Sequence, residues 1–188
     1  MARSEQMDIR ETVKIGDAQL AAADQQLGIR NLEFELDSRA GVSAVAERLA
    51  DQASRSLLLH TENLEPAVYD RPSFLEAVSR LARSHKHARI WILVQDSGQA
   101  VRSGHRLIEL SRRLSSRIRI RRPGQEYRNF HETFLLADTS GYLYRKNPGR
   151  YEGVANFNDP GKVADWEKYF MEAWERSETD LETKRLYL

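Results

Sequence analysis

Late in the chain, His131-Glu132-Thr133-Phe134-Leu135-Leu136-Ala137-Asp138 places an imidazole, a hydroxyl and a carboxylate around an apolar run. Side chains alternate along a strand, so a strand beginning at His131 sends His131 and Thr133 to one face and leaves Asp138 at the turn that follows. Just upstream, Arg102, Arg106, Arg112, Arg113, Arg117, Arg119, Arg121, Arg122 and Arg128 crowd together, with Glu109 and Glu126 as the nearby acids. Guanidinium groups bond phosphate oxygens in pairs, so such a cluster beside His131 suits nucleic acid, a nucleotide or an anionic lipid headgroup. The opposing expectation is a solvated face whose strand arginines, Arg117, Arg119 and Arg121, are neutralised by Glu33, Glu35 and Asp37 if the two strands are neighbours. His60, Glu62 and Asn63 end an apolar run, and the carboxyl ends of buried strands line ligand crevices in α/β sheets. His85 and His87 read as solvated loop residues, and His105, near a helix start, as exposed.

These residues need a sheet to hold them. Leu32, Phe34 and Leu36 alternate with Glu33, Glu35 and Asp37, the period of a half-buried strand. Val42, Val45, Ala46, Leu49 and Ala53 recur at helical spacing and predict a helix over Gly41 to Ala53. The unbroken Leu57-Leu58-Leu59 and Ile90 to Val94 predict strands covered on both faces. Between them Asp70 caps a helix with Pro72 in its first turn and Phe74, Val78, Leu81 and Ala82 inside. A further helix carries Leu107, Ile108, Leu110 and Leu114, and the next strand buries Ile118 and Ile120. Phe130 to Ala137 and Tyr142 to Tyr144 form a hairpin about Asp138 to Gly141, and a short strand is expected around Val154 to Phe157. Asp159 caps a last helix with Val163, Trp166, Phe170 and Trp174 on its inner face. The pattern predicts an α/β fold: a mixed, mainly parallel sheet, helices on both faces, and a C-terminal antiparallel hairpin. It divides into a loose arm (1–30), one domain (31–178) and a charged tail (179–188).

The spacing of His131, Thr133 and Asp138 resembles the phospholipase D superfamily motif H-x-K-x4-D, with Thr133 in the lysine position. Gly153-Val154-Ala155-Asn156 resembles the small-residue and asparagine segment that follows it, and the element order from Asn31 to Arg176 fits one phospholipase D-like unit of bacterial type. The resemblance implies that His131 attacks phosphorus, Asp138 assists its orientation, and Thr133, Asn156, Arg128, Arg145 and Lys146 lie around the phosphate together with His60, Glu62 and Asn63. It implies metal-independent chemistry with no cofactor, and a homodimer to bring two His131 side chains together. A lost transition-state charge contact costs about a hundredfold or more in rate. Thr133 therefore turns the expectation toward binding a phosphate-bearing ligand with weak or no hydrolysis, a homodimeric phosphodiesterase or nuclease being the enzymatic alternative. Gln95-Asp96-Ser97-Gly98-Gln99-Ala100 also resembles the Q/R-x-x-G-x-G/A loop of GNAT acetyltransferases, which implies acetyl-CoA held at a helix start. A scaffold whose arm or arginine face docks another protein is the fourth alternative.

Composition narrows the classes. The chain has 188 residues, 29 Lys and Arg against 28 Asp and Glu, and a net charge of +1, so global charge selects no partner. With no cysteine there is neither a disulfide framework nor a thiolate metal site, and zinc has only five histidines and carboxylates to use. No apolar run approaches the roughly 20 residues of a membrane span, and the polar start lacks a secretory pattern, so a cytoplasmic protein is expected.

Overall fold

The apolar periodicity condenses into nine strands and seven helices in the computed structural model, which describes residues 12–13, 24–84 and 86–184. In chain order these are β1 (Thr12–Val13), β2 (Glu33–Leu36), α1 (Arg39–Gln52), β3 (Ser56–Thr61), α2 (Pro66–Tyr69), α3 (Pro72–Ser84) and β4 (Arg89–Val94). Then come α4 (Gly98–Arg102), α5 (Arg106–Arg113), β5 (Ile118–Arg122), a 3-10 turn (Gln125–Tyr127), β6 (Thr133–Ala137), β7 (Gly141–Arg145) and β8 (Gly153–Asn156). The chain closes with α6 (Pro160–Glu175), β9 (Glu178–Thr179) and α7 (Leu181–Lys184). Most of the expected arm, the last four residues of the expected tail, and His85 lie outside the described residues. The rest of the tail region builds β9 and α7.

One sheet runs in the order β1-β2-β8-β7-β6-β3-β4-β5-β9. Pairing is parallel at β1–β2 and through β3–β4–β5 and antiparallel elsewhere. The sheet is therefore mixed but not mainly parallel, which corrects the expectation. Parallel neighbours need a long crossover. Beyond β5 the chain supplies only a 3-10 turn, a hairpin and a short link before β8, so those strands pair antiparallel.

Helices cover both faces. Val42, Val45 and Leu49 of α1, Phe74 and Val78 of α3, and Leu107 and Ile108 of α5 pack with Leu57, Leu59, Ile90, Ile92 and Leu135 on one side. Val163, Phe170 and Trp174 of α6 pack with Leu58, Leu93, Phe134, Leu136 and Tyr142 on the other. Asp159 caps α6 as its position predicts, its Oδ1 accepting from the Lys162 amide at 3.0 Å. Asp70 does otherwise: it ends α2 and accepts from Arg106 Nε at 2.8 Å. Glycine suits the β6–β7 turn, because a Cβ at Gly141 would stand 2.5 Å from Leu27 Cδ1 and 2.7 Å from Leu49 Cδ2 and would push those side chains aside.

Candidate functional site

Antiparallel pairing of β6 with β3 and β7 brings three chain ends to one end of the sheet. His60 lies opposite Phe134, and Thr133 opposite Arg145. Gln95, at the end of β4, donates to the carbonyls of Tyr127 at 2.9 Å and Phe130 at 3.2 Å, tying the 3-10 turn and the approach to β6 to this same end. Glu62, Asn63, Arg128, His131 and Lys146 surround it, all but Glu62 exposed.

His60 is fully buried on the α6 face. The Glu132 carbonyl, 2.9 Å from Nδ1, can only accept, so Nδ1 carries the proton. The ring stacks on Phe134 at 5.4 Å and meets the edges of Phe130 and Tyr169. Burial lowers its pKa to about 4, partly opposed by the Glu132 bond, so the imidazole is neutral at pH 7. Tyr144 on the same face is pushed up to about 12, first by burial and then by Glu132.

Thr133 and Arg145 belong to the opposite face. Thr133 is buried and its hydroxyl has no hydrogen-bond partner among the described residues. Arg145 is also fully buried: Nη1 donates to Glu65 Oε2 at 2.6 Å, Nη2 to the Pro148 carbonyl at 2.6 Å, and Nε to the Arg150 carbonyl at 3.0 Å, beneath the Tyr151 ring. It pins its own 146–152 loop and spends its charge on Glu65. Glycine is needed beside it, since a Cβ at Gly153 would lie 2.8 Å from Arg145 Cγ. The phenol of Tyr69, near the same pair, is raised by burial. Sequence reasoning misses Glu65, Tyr69 and Tyr151, because only the β6–β7 register reveals that Arg145 points inward to meet them.

His131 is open to solvent, with 61% of its side chain exposed, and Nδ1 lies 4.0 Å from Glu62 Oε1. Asp138 stands at the other end of β6, a strand's length away. Its carboxylate accepts from the amides of Ser54, Arg55 and Ser56 at 2.8–2.9 Å and from the Ser54 hydroxyl at 3.0 Å, fastening the start of β3. This corrects the expectation that Asp138 orients His131. Asn156 pairs opposite Tyr142, three residues short of Arg145, and bonds Asn31 Oδ1 and the Asn158 amide. It too is absent from the His131 end.

The Gln95–Ala100 segment does not form an acetyl-CoA loop. Gln95 is committed to two carbonyls, Asp96 accepts from the Gly98 amide at 2.8 Å, and α4 has only five residues. His105, expected to be exposed, is buried and caps α5 by accepting from the Leu107 amide at 3.2 Å. The arginine-rich strand is not neutralised by the acidic one. β2 and β5 lie near opposite edges of the sheet, and Glu33 pairs with Lys162 at 2.7 Å. Among the described residues no three His, Asp or Glu cluster to hold a metal ion, and no helix is long and apolar enough to cross a membrane.

Solved structures that share the fold include the following three. TrmBL2, an archaeal chromatin protein described as showing a novel mode of DNA binding, superposes with a TM-score of 0.60 at 14% identity, over 86% of this chain and 58% of that one. Phosphatidylserine synthase from Haemophilus influenzae Rd KW20 gives 0.57 at 15% identity, over 85% of this chain and 42% of its own. NucT from Helicobacter pylori gives 0.56 at 11% identity, over 80% of this chain and 99% of its own. The fold here is phospholipase D-like. The chain thus spans less than two thirds of TrmBL2 and of the synthase. No curated protein matches the sequence. The model of the domain of unknown function DUF7931 matches residues 38–186, and the chain belongs to that family.

Proposed function

We propose that this chain binds a phosphate-bearing ligand, nucleic acid foremost, and does not hydrolyse it. One observation carries the reading: the strand position where the phospholipase D motif has lysine holds buried Thr133, and the neighbouring guanidinium of Arg145 is enclosed and paired with Glu65. Phosphoryl transfer is catalysed mostly by charges aimed at the equatorial oxygens. The charged group that lies beside His131, at 4.0 Å, is the Glu62 carboxylate, which has the wrong sign for that task. The fold likeness to TrmBL2, an archaeal chromatin protein described as binding DNA, supports a nucleic-acid ligand. Exposed Arg128, Lys146 and His131 are the proposed strand contacts at this end.

The test is a pair of measurements on purified protein. Anisotropy of a labelled oligonucleotide should report salt-sensitive binding. A chromogenic phosphodiester and plasmid DNA should stay intact with wild type and His131→Ala alike, with or without divalent ions. Hydrolysis that disappears in His131→Ala, in a species that light scattering shows to be dimeric, would establish the nuclease alternative.

A further inference from the structure

Arginines gather on both faces of the sheet, and the faces differ in how the charge is balanced. On the α5 face a hollow of about 680 Å³ between α3 and α5 is lined by Arg80, Arg83, Arg106 and Arg113, with Glu76 and Glu109 among them. Arg80 and Arg106 are paired there with Asp51 and Asp70. The α6 face differs. The β4–β5 register sets Trp91 level with Arg119 and Leu93 level with Arg121. Leu93 and Trp174 belong to the α6-side core and Ile118 and Ile120 to the other, so alternation along β5 turns Arg119 and Arg121 toward α6.

The helix leaves this part of the sheet open. α6 ends at Glu175, with Trp174 stacked on Trp91 at 4.6 Å, and beyond it Arg89 and Arg119 are exposed and Trp91 is half-buried. Each of the two stacked rings carries a guanidinium: Arg89 lies over Trp91 at 5.5 Å and Arg121 over Trp174 at 5.2 Å. Arg121 also donates to the Ser177 carbonyl. These contacts fix the cations before a ligand arrives, which lowers the ordering cost of binding. Glu167 of α6 answers Arg89 at 3.9 Å, but no ion pair to Arg119 or Arg121 occurs among the described residues.

Arg119 and Arg121, two residues apart on one strand face, leave the backbone about 7 Å apart. Like charges at that spacing repel, and a row of anions reverses the sign of that energy. β5 runs parallel to β3 and β4, so the row climbs toward the sheet end that holds Arg128, Lys146 and His131. Three strand spacings, about 14 Å, separate β5 from β6. Ile29 and Leu181, the exposed large apolar side chains among the described residues, lie on none of β4, β5 and α6, so this face offers charge without an apolar wedge for a bilayer.

We infer that the arginine row of β5, with Arg89 beside it, is a second contact surface for the phosphates of a nucleic-acid strand, leading the strand from the His131 end along the α6 face. It rests on the phosphate-ligand reading above and extends it beyond the motif.

The full chain is titrated with a labelled single strand of about 12 nucleotides, with AMP, and with phosphatidylcholine vesicles containing phosphatidylserine, and thermal melts verify the fold of each variant. Wild type should bind the strand, and Arg119→Glu should weaken it by about tenfold or more, because an exposed cation becomes an anion without entering the core. Arg89→Glu, on the neighbouring strand of the sheet, should weaken it in the same direction. Arg119→Lys keeps the charge and should bind within about threefold of wild type. Arg83→Glu, in the α3–α5 hollow, is the charge control and should match wild type. Equal losses in Arg83→Glu and Arg119→Glu would overturn the surface, since net charge alone would then set the affinity. AMP bound as tightly as the strand would overturn the row in favour of a single-phosphate pocket. Strand binding unchanged in Arg119→Glu and Arg89→Glu would overturn it and leave the phosphate reading standing. Wild type that binds the vesicles and not the strand would overturn it in favour of a lipid surface, and failure of every probe would overturn the phosphate reading as well.

Discussion

The His131 end of the sheet and the β5 edge are both rich in cations, yet they use them oppositely. At the His131 end Arg145 is sealed beneath Tyr151, every donor nitrogen bonded to Glu65 or to a loop carbonyl. At the β5 edge Arg119 stands exposed, and Arg121, anchored at one nitrogen, keeps another without an acceptor among the described residues. Where a family motif falls and where unspent charge lies are separate properties, and here they have parted. Motif spacing locates a strand; it does not locate an electrostatic field.

The hardest way to break this contrast is to remove Arg145. Arg145→Ala leaves Glu65 without its partner and empties a buried volume, so a loss of about 3–5 kcal/mol is expected in urea unfolding at pH 7. A stable Arg145→Ala protein with reduced oligonucleotide affinity would instead make Arg145 a ligand contact. The next effect comes from His60. Its folded pKa is about 4 against 6.5 unfolded, so the unfolded chain takes up the proton first as pH falls. Stability is fully present above about pH 6.5 and declines toward pH 4, by up to about 3 kcal/mol for this one group. His60→Gln should flatten that part of the slope, measured as urea midpoints at pH 7 and pH 4.5.

Salt sharpens the contrast from the other side. If three or four phosphates are neutralised, single-strand affinity should fall roughly 20- to 50-fold between 50 and 200 mM salt, and Arg119→Glu should reduce that slope. A salt slope unaltered by the change would detach β5 from binding. The smallest effect is expected at Asp138. Asp138→Asn keeps the side-chain shape and tolerates the positive φ of 51°, but weakens four charge-assisted bonds to residues 54–56. About 1–2 kcal/mol of stability should be lost with oligonucleotide affinity unchanged. A change in affinity with no change in stability would return Asp138 to the site.

Much of the scaffold was legible because burial imposes period on sequence. Phe34 and Leu36, the Leu57–Leu59 run, Ile90 to Val94 and the α6 stripe all sit as their spacing predicts. The sheet's handedness of pairing was less legible, since β6 to β8 read as strands without revealing their partners. The candidate site was legible in part. His60, Glu62, Asn63, His131 and Lys146 do share one end, because all close or open strands there. Asp138 and Asn156 were misplaced by motif likeness. Arg145, which reads as a spare cation beside Lys146, turns inward through a register that no local pattern encodes. The fate of Arg117, Arg119 and Arg121 depended on strand order: Glu33, Glu35 and Asp37 would have answered them as neighbours, and six strand spacings, about 29 Å, separate β2 from β5.

That separation has a kinetic meaning. A chain of net charge +1 that concentrates arginines along β5 must carry compensating negative charge elsewhere, so the molecule has a dipole moment. Near a polyanion it turns before it touches, and the fraction of encounters that arrive edge-first exceeds the random share. Added salt should then slow association far more than it hastens release.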